Sequence, residues 1–98
     1  MTTIEKARRV LDPKKLNLPP RPQIDAIRVE DYVDWEGEDA LRVQVILGED
    51  TKDDELTGDW GIDLKSAIRD ALMAQGIEKF PYVFVAKQSE LDSLDEEE

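Results

Sequence analysis

Leu41, Val43, Val45 and Leu47 occupy every second position of residues 39–48, with Arg42 and Gln44 between them. A period of two puts those four side chains on one face of a pleated strand. A strand with one apolar face must pack that face and pair its edges, so the rest of the chain is read as segments that do one or the other. Ile46 departs from the alternation near Gly48, which implies cover on both faces at that end.

Upstream, Ile27, Val29, Val33 and Trp35 share one parity, and Arg28, Glu30, Tyr32 and Asp34 the other. Asp31 falls on the apolar parity, so either a bulge shifts the register there or the position is a solvated rim. Gly37, between Glu36 and Glu38, can take positive φ and close a hairpin spanning residues 26–47. Downstream, Leu64, Ala67, Ile68, Ala71 and Leu72 trace a helical stripe, with a cap expected at Asp59 or Gly61 and Gly76 as the residue just past the end. Residues 82–86 are aromatic and β-branched and read as a third strand, with Pro81 at its start, where a missing N–H is tolerated. The intervening helix allows that strand to run parallel to one strand of the hairpin.

At the N-terminus, Ile4, Ala7, Val10 and Leu11 fall on one stripe of a short helix capped by Thr3 and stopped at Asp12 and Pro13. Pro19, Pro20 and Pro22 then make an extended connector. The fold read from this order is α+β: a small single-layer sheet of about three strands in the order α-β-β-α-β, with an N-terminal β-hairpin, a helical crossover, a third strand, and helices on one face. Residues 1–22 form a basic short helix plus a proline-rich connector, 23–88 the α+β domain, and 89–98 an acidic tail expected to be disordered. The expected core is Val29, Val33, Leu41, Val43, Val45, Leu47, Leu64, Ile68, Leu72, Val83 and Val85, with Phe80, Pro81 and Tyr82 packing the helix end onto the sheet.

Charge divides the chain. The formal net charge is −11, yet residues 1–22 hold six basic and two acidic residues while 23–98 hold seven and 22. Such a body disfavours nonspecific phosphate binding over most of its surface. No apolar run approaches the length of a membrane span and no apolar segment follows the early basic residues, so a soluble cytoplasmic protein is expected.

The chain has no Cys and no His, which removes disulfides, thiolate or imidazole zinc sites, and any nucleophile that depends on a histidine base. Asp50, Asp53, Asp54, Glu55 and Asp59 could gather round a hard cation, but the spacing of a calcium loop fails, since Glu55 stands where a glycine is needed. Solvated acidic loop is the simpler reading, and neither metal nor cofactor is expected. The functional expectation is a nonenzymatic protein-interaction module, an acidic regulator or inhibitor of a partner protein, with self-association as a special case. Its contact residues would be Trp35, Trp60, Tyr32, Asp53, Asp54, Glu55 and Asp59, Trp60 being either a buried anchor or an exposed contact. The alternative is a nucleic-acid- or ribosome-associated domain touching phosphates through Arg8, Arg9, Lys14, Lys15 and Arg21.

Overall fold

The computed structural model describes residues 2–96. Helix α1 (Thr3–Val10) leads into strands β1 (Ile24–Val33) and β2 (Asp39–Leu47), and a one-turn 3-10 helix (Asp53–Glu55) precedes helix α2 (Gly58–Ala74). Strand β3 (Phe80–Lys87) and helix α3 (Gln88–Glu96) complete the order. The sheet order is β1-β2-β3, with β1 antiparallel and β3 parallel to β2. The alternating strand is therefore the central one, as its pattern requires.

Leu41, Val43, Val45 and Leu47 are all buried on the face that takes Ala7 of α1, Leu11 just past its end, and Trp60, Leu64, Ile68 and Leu72 of α2. Full burial of a Leu or Val side chain is worth about 1.5–3 kcal/mol, so this face holds the domain together. Ile46, on the opposite face, is also buried, which accounts for its place outside the alternation. Two members of the expected core are not in it: Val33 is 62% exposed and Val85 39%. Val33 closes the hairpin and Val85 lies on an outer strand, so both reach past the cover of the helices.

Asp31 pairs with Leu41 in an unbroken register, and the irregularity in β1 lies instead between Ile24 and Ala26. Asp31 is thus a rim residue, 3.5 Å from Lys79 Nζ. In the hairpin turn Asp34 Oδ1 accepts from the backbone N–H groups of Glu36 and Glu38, and Gly37 takes φ +84°.

Both helix caps fall one or more residues before their expected places. Thr2, not Thr3, caps α1, accepting from Glu5 N. Thr57, not Asp59 or Gly61, caps α2: its backbone is extended and its hydroxyl accepts from Trp60 N at 3.1 Å. Asp59 becomes a first-turn acid, favoured there by the helix dipole. At the other end of α2, Gly76 takes φ +71°. Gly76 N donates to Met73 O and Ile77 N to Leu72 O, closing the helix while Ile77 folds back into the core.

Both ends of the chain pack on the domain. The short N-terminal helix docks, and Ala7, Leu11 and Leu16 are core residues. Residues 89–98 were expected to be disordered, but α3 covers Gln88–Glu96, while Glu97 and Glu98 lie outside the described residues. The start of α3 is pinned: Ser89 N and Oγ donate to the two carboxylate oxygens of Glu49, at 3.1 and 2.7 Å. Gln88 Nε2 adds a bond to Asp92 one turn on. Composition alone misses such anchors because Glu49 is forty residues away.

Candidate functional site

Strand alternation sends Tyr32 of β1, Ala40, Arg42, Gln44 and Ile46 of β2, and Phe80, Tyr82, Phe84 and Ala86 of β3 to the face opposite α1 and α2. Parallel pairing aligns Arg42 with Tyr82 and Gln44 with Phe84, so an aromatic row on β3 lies beside a polar row on β2. Tyr32 and Tyr82 meet edge to face with centroids 5.3 Å apart, and Phe80 meets Tyr82 at 4.9 Å. These are geometries in which ring quadrupoles attract. The Arg42 guanidinium lies 5.4 Å from the centre of the Phe84 ring, within cation–π range. Its Nε is buried and has no hydrogen-bond partner among the described residues.

The rings are only partly covered. Phe80 is 61% and Phe84 47% exposed, which corrects the expectation that Phe80 packs the helix end onto the sheet. Tyr82 donates to Asp34 Oδ2 at 3.3 Å, which ties the ring cluster to the hairpin turn. Partial burial, together with the Asp34 charge, raises the Tyr82 phenol above its ordinary range, so it stays a neutral donor. Arg28 reaches across the far end of the same face to Gln88 at 3.2 Å.

The expected contact residues divide among three places. Tyr32 is in the ring cluster, and Trp35 projects from the hairpin turn, 89% exposed. Trp60 is the buried anchor: its ring is in the core. Asp53, Asp54 and Asp59 are exposed at the other end of β2 from Tyr32 and Trp35. Nine residues at about 3.3 Å each separate the two ends of β2, so the seven residues do not form one surface.

Glu55 does not gather with its acidic neighbours round a cation position. It takes two bonds from Arg21, at 2.8 and 3.0 Å, and one from Lys52 N. Those donors hold its carboxyl below the usual carboxylate range, Arg21 first. Arg21 also reaches Asp50 at 3.3 Å, so the proline-rich connector is fastened to the acidic loop. Among the described residues no three carboxylates converge.

The basic residues of the N-terminal segment are partly occupied as well. Arg8 Nε donates to Val29 O, Lys15 Nζ to Arg9 O, and Arg21 to Glu55 and Asp50. Arg9 and Lys14 have no ion pair among the described residues.

Of the contact residues expected from the sequence, Tyr32 alone is in this ring cluster, and Phe80, Phe84, Arg28 and Arg42 are not among them. The signal was parity: Phe80, Tyr82 and Phe84 alternate with Pro81, Val83 and Val85. Among the described residues no helix is long and apolar enough to cross a membrane. Compared with protein-family models, curated proteins and solved structures, the chain shows no match.

Proposed function

We propose that this chain is a nonenzymatic protein-binding module, an acidic regulator or inhibitor of a cytoplasmic partner, and that its contact surface is the sheet face opposite α1 and α2. The observation that carries the reading is the exposure of Phe80 and Phe84 beside the Tyr32–Tyr82 pair, with Arg42 laid over Phe84. Aromatic rings and arginine most often dominate the energy of protein interfaces. A partner seated here would cover both exposed rings. The net charge of −11 suits a neutral or basic protein better than a phosphate backbone.

The test is capture from a lysate of the producing cells by the parent chain and by a Phe80→Ser/Phe84→Ser double variant. Each is run at low and high salt, with and without nuclease. The reading expects a stoichiometric protein that survives nuclease and high salt and is lost with the double variant. Nucleic acid recovered at low salt, released at high salt and lost on Arg9→Gln/Lys14→Gln would replace it with the phosphate-binding alternative.

A further inference from the structure

β3 is an outer strand whose residues Phe80–Lys87 carry a single charge, at Lys87. Residues 80–86 are seven consecutive uncharged residues in a chain that is 38% charged. Phe80, Phe84 and Val85 are exposed along it, and Ile62 and Met73 are exposed on α2. An outer strand that is long, apolar and unpaired on one side is a template for another strand. The opposite outer strand, β1, carries Asp25, Arg28, Glu30 and Asp31 within its ten residues.

We infer that the outer edge of β3 pairs with β3 of a second copy of this chain, antiparallel about a two-fold axis, to make one continuous sheet of twice the strands. The inference concerns an edge and stands independently of what binds the aromatic face. Three features select a second copy.

The first is self-complementarity. With the axis perpendicular to the sheet, residues that face each other must share a face, which leaves registers centred on a single residue. Centring on Phe84 sets Phe84 against its own counterpart, Tyr82 against Ala86, and Val83 against Val85. Apolar pairs then meet on both faces, and Val85 gains the cover its own helices do not give it. Centring on Val83 would place Lys79 against Lys87, a like-charge pair, so the Phe84 register is preferred.

The second is charge. Two chains of −11 repel wherever carboxylates meet, and β3 is an element that brings none to the contact. Antiparallel pairing also carries the end of β3, with Glu90 and Asp92 of α3 just beyond it, towards the start of the partner's β3. There Arg69 and Lys79 line a groove of about 570 Å³ together with Met73, Phe80 and one carboxylate, Glu78. The third is closure: the axis uses both β3 edges and leaves only the charged β1 edges outside, so growth stops at two copies.

The experiment has two parts. Sedimentation equilibrium of the full chain over a wide dilution series should return a mass moving between 11.2 kDa and twice that value. Val85→Lys should hold it at the monomer, with the parent's circular dichroism, while Glu30→Gln on β1 should leave the association unchanged. Because the chain has no cysteine, Phe84→Cys supplies a single thiol at the axis. Mild oxidation should convert it to a covalent dimer, whereas Val33→Cys on β1, also exposed, should stay monomeric. The inference is overturned by a parent chain that is monomeric at every concentration. A dimer that Phe84→Cys does not cross-link, or that cross-links equally well through Val33→Cys, overturns it too.

Discussion

The two outer strands of this sheet are built on opposite plans. β1 places Asp25, Arg28, Glu30 and Asp31 along its length, and Arg8 of α1 donates to the carbonyl of Val29 in its middle. β3 is apolar from Phe80 to Ala86, and beyond Pro81 and Lys87 near its two ends it carries none of the devices that keep an edge from pairing. The same sheet therefore has one edge that refuses a further strand and one that accepts it. The difference is also visible in the packing. α1 lies against β1, whereas α2 leaves Val85 of β3 39% exposed. An acidic chain can in this way remain well dispersed over most of its surface and still offer one adhesive line.

The largest change would come from removing the strand that both edges share. Val43 is fully buried at the middle of β2, and Val43→Asp places an unpaired carboxylate there. A loss of about 4 kcal/mol or more is expected, read by urea unfolding, with both edges lost together. If the variant unfolds with the parent, β2 is not the organising strand.

Making the two edges alike is the next test. Replacing Asp25, Arg28, Glu30 and Asp31 together with Val strips β1 of its charges, and association should no longer stop at two copies. Light scattering should rise steadily with concentration instead of reaching a plateau. A plateau at the parent's mass would show that charge is not what protects β1.

Thr57→Ala has a smaller effect. It removes the hydroxyl that accepts from Trp60 N at the start of α2 and should cost about 1 kcal/mol. Since α2 covers the β3 side, hydrogen exchange should quicken in α2 and β3 before it does in α1 and β1. Uniform quickening would mean that the two halves open as one.

The smallest effect concerns pH. Arg21 and Lys52 N hold the Glu55 carboxyl below the usual carboxylate range. The folded value is depressed, so this link is complete above the ordinary range and is lost as pH falls through the lowered folded value. Arg21→Gln should return the Glu55 titration, followed by carboxyl NMR shifts, towards the ordinary range. An exposed pair of this kind should leave overall stability almost unchanged.

Much of this architecture is legible in the sequence because it rests on periodicity. The period-two run of β2, the helical stripe of α2, Gly37 and Gly76 at positive φ, and the parallel third strand are local patterns with local causes. What the sequence hides is contact between distant residues. The clamp of Ser89 on Glu49 turns an acidic tail into α3, and Arg21 on Glu55 converts a connector into part of the domain. The candidate face was half legible. Parity places Tyr82 and Phe84 on one side, but only the pairing of β3 with β2 brings Arg42 over Phe84 and Tyr32 to Tyr82. Trp60 and Trp35 show the same limit from the other side: both follow an acidic residue near a loop, yet one anchors α2 and the other projects into solvent.

The contrast between the edges is tested most directly by amide hydrogen exchange along β1 and β3, measured at low and at high protein concentration. Slowing confined to β3 as concentration rises, with β1 unchanged, is the result expected from pairing at the β3 edge. Exchange in β3 that is independent of concentration, or slowing shared equally by β1, would contradict it.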